Sequence, residues 1–346
     1  MGQTIPRNQT QKKRPTLRTI ADLSGLAVTT VSRALGDAPD ISAETKRVVR
    51  RLAEEVGYVP DRAGVRLRTG RTNVVALVLP MDEDALNMTS RLVAAIAGAL
   101  SGTRYHLVVV PEMPGQSLID PVRYVVETRS ADAVIFNRIQ PQDPRIAYLR
   151  EKGFPFATHG RSDWQADHAW FDYDNEGFGR RAVTYLAARG RRNLVLIAPP
   201  ETETYGREMR AGARAAAIAQ GVVLREPAGL TSDSPREEVQ RAIRSALKEE
   251  TRPDGIIVAS PNAALAAIPA LEGAGLTIGR DIDFFAKETF PILDLVQRDI
   301  KVEHEDVRKA GAFLARAAVN EIGQAGASHM QQIDTPPPPP AGAERP

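Results

Sequence analysis

From Asn73 onward the chain alternates between two hydrophobic rhythms. Short apolar runs rich in β-branched residues are each followed by a stretch with apolar positions three and four residues apart. The runs predict strands at Val74–Leu79, His106–Val110, Ala133–Phe136, Phe156–Thr158, Leu194–Ile197, Gly255–Val258 and Asp283–Phe285. The intervening stretches predict helices at Thr89–Ser101, Val122–Thr128, Pro144–Lys152, Gly177–Ala188, Arg207–Gln220, Pro235–Glu249, Ala263–Ala274 and Val307–Gly323. Strands alternating with helices predict parallel α/β layers. Upstream the rhythm is purely helical: residues 16–57 read as three short helices, ahead of an Arg-rich connector over 58–72 that holds Pro60, Gly64 and Gly70. Residues 1–15 have no periodicity and read as a disordered basic arm. Residues 334–346 hold five consecutive prolines and read as a Pro-rich disordered tail. The expected domains are therefore 16–60, a linker over 61–72, and a body over 73–333.

Charge sharpens this division. Net charge is only +2, yet residues 1–72 carry fourteen Lys/Arg against seven Asp/Glu. The remainder is net acidic. A basic head on a mildly acidic body suits a polyanionic partner, although a solvated basic tail has the same composition. There is no cysteine, which excludes disulfides, thiolate metal sites and cysteine nucleophiles. The apolar runs are strand-length, and the N-terminus lacks the apolar stretch of a secretory signal, so the expected setting is cytoplasmic with no membrane partner.

Leu17–Gly36 reads LRTIADLSGLAVTTVSRALG. Ala21 is small where two helices press together, Gly25 suits a turn needing positive φ, and Val31 is apolar where the second helix packs on the first. Thr16 and Ser42 are candidate N-caps, and Val48, Leu52 and Val56 form a stripe on the third helix. The second helix is expected to enter the major groove. Arg33 would pair with a guanine, Val28 would touch a thymine methyl, and Thr29 would bond a base or a phosphate. Thr30 and Ser32, with Thr16 and Ser42, are assigned to phosphates.

These residues resemble the head of lactose-repressor-type (LacI/GalR) regulators. The matching pieces are Thr16-Leu17, Ile20-Ala21, Gly25, Thr30-Val31-Ser32-Arg33, Ile41-Ser42, Thr45, Gly57-Tyr58, Pro60 and Leu67-Arg68-Thr69-Gly70-Arg71-Thr72. The resemblance extends, more weakly, from about residue 16 to 325. It implies a homodimer on a near-palindromic operator duplex. Residues 61–68 would form a hinge helix on DNA, with Arg62 in the minor groove and Leu67 wedged into a base step. Two positions depart from the family: Gly64 replaces a usual alanine, and Ala27 replaces a common serine.

The same resemblance implies a periplasmic-binding-protein-like body of two lobes. The chain would cross between them about three times, near 160–173, 286–292 and 302. A small effector, with a carbohydrate as the leading class, would sit between the lobes at strand carboxyl ends. His159 and Arg161 end a predicted strand, and Arg161 is the expected ligand clamp; His159 reads equally as a structural histidine. Asn175, Arg207, Lys287 and Glu288 complete the expected ligand set. Met209 stands where the family often has an arginine, with Arg207 as a substitute, and Ser260-Pro261 replaces a common Asn-Asp pair. Leu92, Ile96 and Leu100 serve either a dimer contact or the core. Effector binding would shift the lobe angle and change DNA affinity, as inducer or corepressor.

Two other readings compete. A transport-type solute-binding protein would lack any DNA role. An enzyme would need chemistry the chain does not display: no glycine-rich phosphate loop, no Gly-x-Ser-x-Gly elbow, and no second histidine four residues after His304. No cofactor or metal is expected.

Overall fold

The structure, a computed structural model, describes residues 15–59, 64, 66, 69–81, 86–296, 299–323 and 328–336. The chain divides into two compact units, Met1–Thr72 and Asn73–Pro346. Arg62, Leu67, most of the basic arm and the end of the Pro-rich tail lie outside the described residues.

In the first unit, helices α1 (Leu17–Ser24), α2 (Val28–Leu35) and α3 (Ala43–Glu55) enclose a small core. Ile20, Val31, Ala34 and Val49 are buried there with Ala21 and Ala53. The buried centre of α3 is Val49 and Ala53, not the predicted Val48 stripe; Leu52 and Val56 pack at its edge. Thr16 caps α1 by accepting from the Thr19 N–H, and Ser42 caps α3 by accepting from the Thr45 N–H at 3.1 Å. Gly25 ends α1 at φ 71°, a conformation that favours glycine.

The second unit is built on two all-parallel sheets. The first contains β1 (Val74–Pro80), β2 (His106–Glu112), β3 (Ala133–Phe136), β4 (Phe156–His159), β5 (Ala169–Tyr173) and β11 (Gln331–Asp334), ordered β11-β5-β4-β3-β1-β2. The second contains β6 (Asn193–Ile197), β7 (Val223–Arg225), β8 (Gly255–Val258), β9 (Asp283–Glu288) and β10 (Ile300–His304), ordered β10-β9-β8-β6-β7. Strand β1 is apolar on both faces because helices cover both sides of a parallel sheet.

Helices α4 (Leu86–Leu100), α5 (Ile119–Thr128), α6 (Pro144–Lys152) and α11 (Val307–Gly323) flank the first sheet. Helices α7 (Asn175–Ala188), α8 (Thr204–Gln220), α9 (Arg236–Ala246) and α10 (Pro261–Glu272) flank the second. Leu92, Ile96 and Leu100 face α11 inside the core, which settles their role as packing residues. Helices α7 and α8 cross closely: a Cβ on Gly212 would lie 1.9 Å from the Glu176 carbonyl oxygen. The chain passes to the second sheet after β5 and returns after β10. Among the described residues that makes two passages rather than three, because β11 pairs with β5 and keeps the C-terminal strand on the first sheet.

Candidate nucleic-acid interface and ligand cleft

Helix α2 buries Val31 and Ala34 and leaves the opposite face to solvent. Val28, Thr29 and Arg33 are exposed; Thr30 and Ser32 are half-buried. An exposed valine on the first turn of this helix contributes nothing to the core, which suits a methyl contact. Ala27 precedes α2 and provides no side-chain cap, so the serine-to-alanine departure leaves the helix start uncapped. Arg33 forms a surface ion pair with Asp40. Across the same turn Asp37 faces Lys46 and Arg50, whose hydrogen bonds and charge lower its carboxyl. Of the expected linker over 61–72, residues 64, 66 and 69–72 are described, and the Gly70 N–H donates to the Arg66 carbonyl at 2.8 Å, the spacing of one α-helical turn.

In the body, a cavity of about 180 Å³ opens at the carboxyl ends of strands from both sheets. His159, Asn175 and Lys287 line it; Arg161, Arg207 and Glu288 do not. Each correction has a geometric cause. Lys287 and Glu288 are adjacent on β9, so their side chains leave opposite faces of the sheet. Arg207 sits two positions after the lining residue Tyr205 on α8, well over a quarter-turn round the helix, and its Nε donates to the Glu201 carbonyl at 2.8 Å. Arg161 turns away to Asp172 at 2.9 Å and Glu208 at 2.6 Å. It is a strut between the lobes: burial alone would lower its pKa, but the two carboxylates raise it and hold the charge.

The deep end of the cavity is a network of buried charges that sequence reasoning missed in part. Lys287 Nζ lies 2.6 Å from Glu305 Oε2 and donates to Asn175 Oδ1 at 2.8 Å. His159 Nε2 lies 3.3 Å from the other Glu305 oxygen. Asn175 Nδ2 donates to Asp172 Oδ1 at 3.2 Å and to the Tyr173 carbonyl at 3.0 Å. The neighbouring Asp174 is a helix cap, accepting from the Gly177 N–H at 2.9 Å. Burial would raise the Glu305 carboxyl, but the Lys287 ammonium and the His159 contact prevail and lower it to about 2.

The outer end is bridged by Arg138, after β3, and Asp233, after β7, at 3.2 Å. Between the two ends, Asn137 is buried, and its Oδ1 has no hydrogen-bond partner among the described residues. Arg145 is almost fully buried and positions this segment by donating to the Asn137 and Arg138 carbonyls at 3.1 and 2.9 Å.

Glu203 is buried near this outer end, and its Oε2 also lacks a partner. Burial raises its carboxyl from 4.5 to about 7, against a hydrogen bond from Tyr205. Burial and the Asp172 charge likewise raise Glu208 to about 7. A carboxyl raised in the folded state favours folding fully below the unfolded value near 4.5, and that contribution fades as pH climbs to about 7. For Glu203 the shift corresponds to on the order of 3 kcal/mol. Glu203→Gln is therefore expected to flatten the fall in melting temperature between pH 5 and 8. An identical slope in both proteins would show that Glu203 does not carry this pH dependence.

Residues 16–61 match the family described as bacterial regulatory proteins, lacI family, and residues 183–339 match a periplasmic binding protein-like domain. The HTH-type transcriptional regulator AglR of Rhizobium meliloti (strain 1021) is 31% identical over 323 residues, spanning 92% of this chain and 90% of AglR. The chain belongs to the lacI family of bacterial regulatory proteins.

Its fold agrees with solved members. A transcriptional regulator CelR–cellobiose complex has a TM-score of 0.67 at 24% identity, and a lac repressor dimer bound to operator and the anti-inducer ONPF has 0.76 at 22%. Each comparison covers 93% of this chain and 97% of the other. The chain is thus a helix-turn-helix transcription regulator with a two-lobed α/β body, and the solute-binding reading without a DNA role is set aside. No described helix is long and apolar enough to cross a membrane. Two residues that line this cleft stand outside the expected ligand set: Asp172 is an acid inside the aromatic strand Ala169–Tyr173, and Glu305 directly follows β10.

Proposed function

We propose that this regulator is a homodimeric repressor whose affinity for a near-palindromic operator is switched by a sugar or sugar derivative held between the lobes. The observation that carries the ligand assignment is Asn137 Oδ1, a buried acceptor on the cavity wall that has no donor among the described residues. Leaving such a group unpaired costs about 1–3 kcal/mol, and a ligand hydroxyl would satisfy it. The wall also mixes donors and acceptors, Lys287 and Arg138 against Asp172 and Asp233, as recognition of a polyhydroxylated ring requires. The similarity to CelR, whose solved complex holds cellobiose, supports the same class.

The direct contacts between lobes give the switch its physical basis. Arg138–Asp233 and Arg161–Glu208 hold one lobe spacing, and a ligand that competes for or reinforces them changes it. Arg33, Val28 and Thr29 read bases, Thr16, Thr30, Ser32 and Ser42 hold phosphates, and Arg62 and Leu67 serve the minor groove. His159, Asn175 and Lys287 contact the effector.

The test is fluorescence anisotropy with genomic operator fragments, with and without a panel of sugars and sugar acids. One saccharide class should shift the operator Kd of the unaltered chain. Asn137→Ala should weaken that response by roughly 5–150-fold in effector concentration, with effector-free DNA affinity unchanged. A panel that leaves the operator Kd unmoved at saturating concentrations would remove the sugar assignment.

A further inference from the structure

Outside the cleft, three side chains from separate segments converge at the end of the second sheet. Glu288 ends β9, His304 ends β10 directly opposite it in the strand register, and Asp294 sits on the short turn Leu293–Val296. One ligand atom from each lies within 4.8 Å of the other two. Glu288 is fully buried, and its two oxygens have different roles. Oε2 accepts from the Ile292 and Leu293 N–H groups at 3.2 and 3.1 Å, which fixes the carboxylate's orientation. Oε1 has no hydrogen bond among the described residues, and His304 Nδ1 faces it at 3.0 Å.

A buried carboxylate oxygen that makes no hydrogen bond among the described residues, close to an imidazole nitrogen and a second carboxylate, is an arrangement a cation resolves. We propose that Glu288, Asp294 and His304 form a binding site for a divalent transition metal, with zinc as the best fit. Mixed imidazole and carboxylate ligands suit zinc better than magnesium or calcium, which favour all-oxygen shells. Zinc bonds of about 2.0–2.2 Å at tetrahedral angles place two ligand atoms roughly 3.3–3.6 Å apart. Rotation of the exposed Asp294 side chain toward the other two would close the set. The backbone bonds to Glu288 Oε2 supply the outer support that orients a metal ligand. Solvent would complete the tetrahedron. The turn that the metal would stiffen follows Phe290 and Ile292, which line the cleft.

The test uses the full chain without an affinity tag, treated with EDTA and dialysed, then titrated with zinc chloride by calorimetry. One equivalent per chain is expected at saturation. His304→Gln and Asp294→Asn should each weaken binding by roughly 10–100-fold or more. Both avoid Glu288, which supports the turn, and both should melt like the unaltered chain in EDTA. Absence of saturable zinc binding in the unaltered chain, or affinity that survives both substitutions, would overturn the site.

Discussion

Arg33→Ala is expected to erase most discrimination between operator and random duplex while leaving the head folded. A bidentate arginine–guanine pair contributes about 1–3 kcal/mol per base read, so two half-sites lose roughly 2–6 kcal/mol together. Folding is spared because α2 is anchored by Val31 and Ala34 on the opposite face. Arg33 is 56% exposed and already held by Asp40, itself 49% exposed. Exposed pairs of this kind are weak, so the guanidinium can exchange a carboxylate for a base edge at little cost. Asp40→Asn then serves as the opposite control: freeing Arg33 should raise operator affinity by up to about five-fold for each half-site. Anisotropy titrations on both duplexes at one salt concentration measure the ratio. An unchanged ratio in Arg33→Ala would move base reading to other side chains.

The contrast between what the chain reveals by pattern and what it conceals has a physical origin. Strands buried on both faces, such as Ala133–Phe136 and Gly255–Val258, are continuous apolar runs and are visible without a partner. Gln331–Asp334 is visible to no hydrophobic scan. It is a polar edge strand held by ladder bonds to β5, including the Trp170 N–H to the Met330 carbonyl at 3.0 Å. Val223–Arg225 is too short to show a period.

The cleft divides in the same way. Residues at strand ends, such as His159 and Lys287, could be located because ligands in open parallel sheets gather there. Which of two neighbours points inward depends on strand phase, and one residue of phase separates Lys287 from Glu288. The distant partners Glu305 and Glu208 join the network only through tertiary contact, at separations no local pattern encodes.

Lys287→Met should be the most damaging single change in the body. It removes the ammonium 2.6 Å from Glu305 and also the cation 4.4 Å above the Tyr173 ring. Glu305 would remain buried, with His159 as its one remaining basic contact in this network. Breaking a buried pair on one side costs about 3–5 kcal/mol, whereas removing both charges is often nearly neutral. The double variant Lys287→Met with Glu305→Gln should therefore recover much of the loss, a coupling that a double-mutant cycle reads directly.

The pH dependence distinguishes charge from packing. In the unaltered chain Glu305 is lowered to about 2, so its contribution is present above the ordinary carboxyl value near 4.5 and is lost as pH falls toward 2. Without Lys287 the burial penalty dominates and the carboxyl rises, so acid relieves the variant by protonating it. The stability deficit should then shrink between pH 7 and pH 5, as followed by thermal melting. A deficit that stays constant over that range would assign the loss to the missing methylenes and hydrogen bond rather than to a stranded charge.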